Sequence, residues 1–278
     1  MNQIERNILV GSLLGDGCLS IHGRSINARY REHGCEKQDG YRKWKAKMLK
    51  NLGFQFSDRG KYGNVYSPSR EEFTDLYNLF YVDGVKTLTD ENISLLDHPV
   101  GLACLYMDDG TLVMDTSRKK SSIYTFPRIS IYTLCFSKHE NQLLADHIEK
   151  VFKVDFKLKK HPDGKNYLLE LNKAREVVKF IEIVKPYVNE VDCMKYKVTL
   201  EARLEAKLLD LKRSHPDKSI TKSSLSPIDK TYSAEDEELI ISMKQSGCTD
   251  KEIAYALGRS YWGLVDKIRR MKKEGKMP

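Results

Sequence analysis

Two stretches decide the reading: IERNILVGSLLGDG (Ile4 to Gly17) and PVGLACLYMDDG (Pro99 to Gly110). Each is an apolar run that closes on Asp-Gly, and Asp109 follows Asp16 by 93 positions. One copy carries little, because Asp-Gly after an apolar run is also an ordinary helix end or hairpin turn. Two copies point to an internal repeat. In the first copy Gly11 and Gly15 lie i, i+4 on one helical face, where missing Cβ atoms let a second helix approach at backbone distance. Cys104 and Asp108 stand at the matching positions of the second copy, which predicts looser packing there.

Outward from these runs the order of elements repeats. The helical segments YRKWKAKMLKNLGF (Tyr41 to Phe54) and NQLLADHIEKVFKV (Asn141 to Val154) align at an offset of 100, placing Trp44 on Leu144, Met48 on Ile148 and Leu52 on Phe152. Hairpin signals RGKYGN and HPDGKN follow, each before an extended stretch. Two further amphipathic helices put Arg70-Glu71 on Arg175-Glu176 at an offset of 105. The drift in offset is what loop insertions between related halves produce. Strands such as ARYREHG (Ala28 to Gly34) and RISIYTLCF (Arg128 to Phe136) alternate polar or basic with apolar side chains, as a sheet covered by helices on one face does. The predicted fold is mixed α/β (α+β), each half running helix, two strands, helix, two strands, helix.

Two motif helices packed side by side about a pseudo-two-fold axis bring Asp16 and Asp109 together at their C-terminal ends. A helix C-terminus carries roughly −0.5 charge, which disfavours a carboxylate by ~0.3–1 kcal/mol, and adjacent carboxylates repel. A positive group is expected between them. A hard divalent cation with oxygen ligands fits, Mg²⁺ (or Mn²⁺), keeping several waters and bridging to a substrate phosphate.

The pair LVGSLLGDG and LACLYMDDG resembles the two motifs of the single-chain LAGLIDADG homing endonucleases, over about residues 4 to 200. The resemblance implies two αββαββα halves whose saddle-shaped sheets grip double-stranded DNA, and site-specific, metal-dependent hydrolysis of both strands. It implies Asp16 and Asp109 as metal-binding acids, with the backbone carbonyls of Gly15 and Asp108 at the metal. It also implies Gln38, with Lys138 in the second half, as the polar residue that orders water. Lys86 (in VDGVKTLT) and Lys197 (in MKYK, beside Lys195) are implied as basic residues that stabilise the developing phosphorane charge or polarise the attacking water. Two motifs in one chain imply a monomer. The mismatch of Gln38 with Lys138 predicts cleavage sites of unequal strength.

Basic residues cluster in the expected strands and hairpins: Arg24, Arg29, Arg31, Lys37, Arg59 and Lys61, then Arg118, Lys119, Lys120, Arg128, Lys157, Lys159 and Lys160. On an open sheet face they would read guanine edges or neutralise phosphates.

The 278 residues suit one large domain or two smaller ones. Residues 1–97 and 98–211 are expected as the halves, 212–231 as a linker and 232–278 as a separate module. Lys212 to Lys230 holds two prolines and five serines, a linker composition. Of the net charge of +8, residues 212–278 carry half, with 14 Lys/Arg against 10 Asp/Glu. Three helices are predicted here, opened by capping boxes at Ser233 with Asp236 and Thr249 with Glu252, the first ended by Gly247. Leu264, Ile268 and Met271 form a core stripe on the third. The module resembles a helix-turn-helix or Myb-like DNA-binding unit, and Arg259, Tyr261, Trp262, Lys267, Arg269 and Arg270 are its candidate contacts. Trp262 could equally belong to its core.

A sequence pI near 9.0 suits a polyanionic partner without requiring one. No apolar run is long enough for a membrane span and no signal peptide is evident, so an untargeted intracellular, cytoplasmic protein is expected, nucleoid and organelle remaining open. The six cysteines lie 17 or more residues apart, without zinc-site spacing. Two rivals stand beside the endonuclease: a catalytically silent transcription regulator on the same fold, and a maturase for which intron RNA is the partner. Paired aspartates argue against the first.

Overall fold

The computed structural model describes residues 1–59, 62–225 and 232–277, which form two units divided at residues 226 and 227. The first unit opens with α1 (Gln3–Leu14), β1 (Cys18–Ser20), β2 (Arg29–Gly34), α2 (Asp39–Met48), β3 (Gln55–Ser57), β4 (Gly63–Tyr66) and α3 (Glu71–Phe80). A two-stranded ribbon, β5 (Tyr81–Val82) and β6 (Val85–Lys86), and the short α4 (Asp90–Ile93) lead into the second half. That half runs α5 (Pro99–Asp109), β7 (Gly110–Arg118), β8 (Ser122–Ile131), α6 (Lys138–Phe152), β9 (Lys157–Lys160), β10 (Tyr167–Leu171) and α7 (Ala174–Val188). The αββαββα order is present twice. Both sheets share one antiparallel topology, β1-β2-β4-β3 and β7-β8-β10-β9.

Of the stretch expected as a linker (212–231), residues 212–225 are instead built into the second half, and 226–231 lie outside the described residues. After α7, α8 (Leu200–Ser214) runs three residues past Leu211, and β11 (Ser219–Lys222) pairs in parallel with residues 122–125 of β8. Because β7 covers one edge of β8 throughout, β10 and β11 divide the other edge between them. Ile220 and the buried Leu204, Leu208 and Leu211 of α8 give this segment enough apolar surface to stay on the sheet, which the serine and proline content obscured.

Local chemistry explains the helix starts. Asn2 caps α1 in a reciprocal box with Glu5, both bonds at 2.9 Å, and Ser137 does the same for α6 with Glu140. The motif helices are buried almost all round, with every residue from Ile8 to Leu14 and from Val100 to Met107 inside. They meet at backbone distance: a Cβ on Gly11 would lie 2.1 Å from the Gly101 carbonyl oxygen and 3.0 Å from Cβ of Cys104. The looser packing expected from Cys104 does not occur, since Gly101, one turn earlier, supplies the missing Cβ. The buried Asn7 amide clamps the pair, donating to Asp97 (2.6 Å) and accepting from the backbone N–H groups of Asp97 and His98.

The second unit holds α9 (Ala234–Gln245), α10 (Asp250–Ala256) and α11 (Tyr261–Lys273) around its own core of Ile240, Ile253, Leu264, Ile268 and Met271. Ser233 and Thr249 form the expected capping boxes, and Gly247 takes φ +81° after α9. No helix among the described residues is long and apolar enough to cross a membrane.

Candidate active site

The two motif helices end differently. Helix α1 stops at Leu14, so Asp16 follows in the turn, whereas Asp109 is the last residue of α5. Both carboxyls are pushed above the ordinary carboxylate range. For Asp109 burial is the main cause and the Asp16 charge the next, and together they push it up to about 6. For Asp16 burial again leads, followed by Glu32, with Lys45, Lys197 and Lys86 opposing. Two carboxylates that repel, Asp16 on the surface and Asp109 half-buried, are an oxygen donor set short of positive charge. They fit a hard divalent cation, and because no third His, Cys, Asp or Glu among the described residues joins them, phosphate and water would complete its shell.

A lysine reaches the end of each motif helix. Lys86 donates to the carbonyls of Gly15 (3.2 Å) and Gly17 (2.9 Å), and Lys197 to those of Tyr106 (3.2 Å) and Met107 (2.6 Å). Met107 lies in the last turn of α5, whose carbonyls the helix leaves without partners, whereas that of Tyr106 also accepts from the Gly110 N–H, and Gly15 and Gly17 follow the end of α1. Burial lowers the pKa of both ammonium groups, while nearby acidic groups, the aspartates among them, hold it up. Lys197, not Lys195, is the buried one; Lys195 is exposed and pairs with Asp192 at 2.5 Å. The lysines are not in equivalent places, since Tyr106 and Met107 match Leu13 and Leu14 of the first motif. Lys86 therefore engages the carbonyl of Gly15 itself, while Lys197 bonds the two residues before Asp108.

The structure does not bring Gln38 and Lys138 to the aspartates by any hydrogen bond among the described residues. Gln38 ends the 3-10 turn Glu36–Gln38 and precedes α2, and Lys138 opens α6 with its Nζ 5.8 Å from the Tyr167 ring centre. Asp108, read from sequence only for its carbonyl, buries its side chain against Lys45 and beside Gly15, and Lys45 and Glu32 were not anticipated at all. A signal existed: Glu32 falls on the apolar parity of β2, and Lys45 lies on the buried face of α2 with Tyr41.

On the open face of the first sheet Arg31 stands opposite Tyr66 and His33 opposite Asn64, with Arg29 on the same side. Arg29, Arg31, Asn64 and Tyr66 line one shallow depression. Neither arginine makes a side-chain hydrogen bond or ion pair among the described residues, and Nε of Arg29 is buried without a partner. Arg24, Lys37 and Arg59 are exposed in the flanking turns, and Lys61 lies outside the described residues. The second sheet differs. Arg128 pairs with Glu170 (2.8 Å) and Asp115 (3.0 Å), and Lys159 pairs with the same Glu170 (2.8 Å).

In the second unit Trp262 is 76% exposed, outside the core, with Tyr261 packed edge-on against it. Arg259 pairs with Asp236 (3.1 Å) and Lys267 with Glu237, both against the Tyr232 ring, so Lys267 ties α9 to α11 and Arg259 ties α9 to the turn before α11. Arg270 reaches Asp266 at 3.7 Å, and Arg269 is exposed.

The profile of the LAGLIDADG DNA endonuclease family matches residues 6–179, and the chain belongs to that family. It is 32% identical over 198 residues to protein RecA of Mycobacterium gastri, across 69% of this chain and 46% of that protein. The chain thus spans less than half the length of the RecA proteins it matches. It is 26% identical over 220 residues to DNA endonuclease I-ChuI of Chlamydomonas applanata, across 72% of this chain and 96% of that one. Its fold is similar to that of the homing endonuclease I-WcaI bound to its DNA recognition sequence, with a TM-score of 0.58 at 18% identity, covering 72% of this chain and 87% of the other.

Proposed function

We propose that the chain is a site-specific, Mg²⁺-dependent homing endonuclease that hydrolyses both strands of a long duplex target as a monomer. The observation that carries this reading is the pairing of Asp16 with Asp109 at the ends of two helices in backbone contact, each end with its own lysine, Lys86 half-buried and Lys197 buried. Asp16 and Asp109 would hold the cation, with the carbonyl of Asp108, which Lys197 does not take, as the backbone donor. The bound ion supplies charge neutralisation at the scissile phosphate and a more acidic water. Lys86 and Lys197, fixed by backbone carbonyls at the motif ends, would present positive charge where the phosphorane develops. Their lowered pKa values make each readier to give up a proton to the departing oxygen. Gln38 and Lys138 would act through ordered water.

Residues 1–97 and 98–225 are the two halves in this reading, and 232–277 are a helix-turn-helix-like DNA-binding module. Arg29 and Arg31 read bases, Arg24, Lys37 and Arg59 contact phosphate, and Tyr261, Trp262, Arg269 and Arg270 serve the module. The test is incubation of the full chain with a plasmid library carrying a randomised insert, with Mg²⁺ and with chelator. Recovery of one linearised sequence family only with Mg²⁺ is expected; no enriched cut sequence at any metal concentration refutes the reading.

A further inference from the structure

Asp108 stands where the first motif has a glycine, and its side chain leaves the helix interface for the interior of the other half. Its carboxylate accepts from Nζ of Lys45 at 3.0 and 3.3 Å, and Lys45 is completed by Glu32 at 2.6 Å. Glu32 in turn accepts from the hydroxyl of Tyr30. Lys45 and the Asp108 side chain are at most 1% exposed, and Glu32 is 2% exposed. The second oxygen of Asp108 also accepts from the backbone N–H of Asp16 at 3.3 Å. The space for this arm exists because residue 15 is glycine: a Cβ there would sit 2.5 Å from that of Asp108. A charged chain from α2 and β2 of the first half thus ends, through a residue of the second half, on the turn that carries Asp16. Among the described residues no side chain holds Asp109 in this way; it is the last residue of its own helix, and its carbonyl accepts from the Tyr132 N–H at 3.0 Å.

We propose that Asp108, oriented by Lys45 and Glu32, is a positioning residue that holds the Asp16 turn in place and so fixes the first carboxylate of the site. The role of Asp16 rests on the endonuclease reading; the restraint on its turn does not. A buried ion pair confers geometric definition at a desolvation cost, which suits positioning better than stability.

The test uses Asp108→Ala and Asp108→Asn in the full chain. Lys45 keeps Glu32 as its partner in both, so no buried charge is left alone and both variants should unfold cooperatively. The asparagine retains an oxygen for the Asp16 N–H and the alanine does not. Hydrogen exchange of the segment 12–18 is expected to speed up about tenfold in Asp108→Ala and by less than threefold in Asp108→Asn. Exchange unchanged in the alanine variant, or equally fast in both, overturns the proposal. Binding of Mn²⁺ alone, followed by electron paramagnetic resonance, should weaken about tenfold in Asp108→Ala and be restored in Asp108→Asn. Loss of Mn²⁺ binding in the unmodified chain would refute the metal reading while leaving the exchange result to decide the restraint.

Discussion

The two halves repeat one topology and diverge in how they spend charge. On the first sheet Arg29 and Arg31 face outward beside Asn64 and Tyr66 without ion-pair partners among the described residues, whereas on the second Glu170 and Asp115 hold Arg128 and Lys159. The motif ends diverge in the same sense: Asp109 is carried by a helix, while Asp16 lies beyond one and is held from outside. The buried parity that folds each sheet is kept in both copies, and the outward parity is free to change. An arginine already paired with a carboxylate must give up that pair to reach a base edge, so base discrimination is expected to concentrate in the half-site under the first sheet.

The largest effect belongs to the aspartates. Asp16→Asn and Asp109→Asn should each lower cleavage of a mapped target by roughly 10²-fold or more, since each removes a charged ligand at the reacting phosphate. Unequal nicking of the two strands is expected, because the two acids are positioned by different means; full cleavage by the double variant would break the assignment. Stability moves the other way. The folded chain holds Asp109 near a pKa of about 6 against an ordinary 3.8. The unfolded chain therefore loses this proton first, and stability falls as pH rises from about 4 through about 6, by on the order of 2 kcal/mol. Asp109→Asn should flatten that dependence in metal-free thermal unfolding; an unchanged pH profile would contradict it.

Next come the open arginines. Arg29→Ala or Arg31→Ala should each cost about 1–3 kcal/mol in binding and relax preference at one or two base pairs of a single half-site, as measured by a panel of point-substituted duplexes. Loss spread evenly over both half-sites would mean that the arginines serve phosphates.

Truncation sharpens the comparison, because among the described residues only the second half recruits an added strand. A chain ending at Leu225 keeps β11, should unfold as cooperatively as the full chain, and should bind DNA with a shallower salt dependence, by about 0.9 in slope for each phosphate that the module no longer neutralises. A chain ending at Leu211 loses β11, leaving part of one edge of β8 bare, and should melt lower. Equal melting of the two would show that β11 contributes nothing.

The repeat and both motif ends were legible because short local patterns fix them, apolar runs, Asp-Gly and helix caps, whereas Lys86 and Lys197 were singled out only by the family resemblance. What escaped was set by tertiary contact. Glu32, Lys45 and the side chain of Asp108 come from three separate segments, and only the buried parity of the first two hinted at the meeting. The pairing of Arg128 and Lys159 required knowing that Glu170 of β10 lies opposite Ser130 of β8 and Lys157 of β9. Composition misread residues 212–222 because a parallel edge strand needs only a partner, which Ser122 to Thr125 provide.

The smallest effect on DNA is expected at Arg128, and it is the sharpest test of the asymmetry. Glu170 is 7% exposed and lies between Arg128 and Lys159, so removal of the arginine leaves it with one cation instead of two. The fold should therefore lose about 1–2 kcal/mol, less than the 3–5 kcal/mol typical of a buried charge left alone. Binding should weaken by less than about threefold, with the base preferences of both half-sites intact, because the guanidinium was committed to Glu170 and Asp115 before any DNA arrived. Glu170→Gln makes the reverse case: it frees Lys159 and leaves Arg128 with Asp115 alone, and should raise affinity at low salt with a steeper salt dependence. Titration of one target duplex with both variants at two salt concentrations decides between the outcomes. If Arg128→Ala abolished discrimination as fully as Arg31→Ala, the pairing would have to open on binding and the two sheets would read DNA alike.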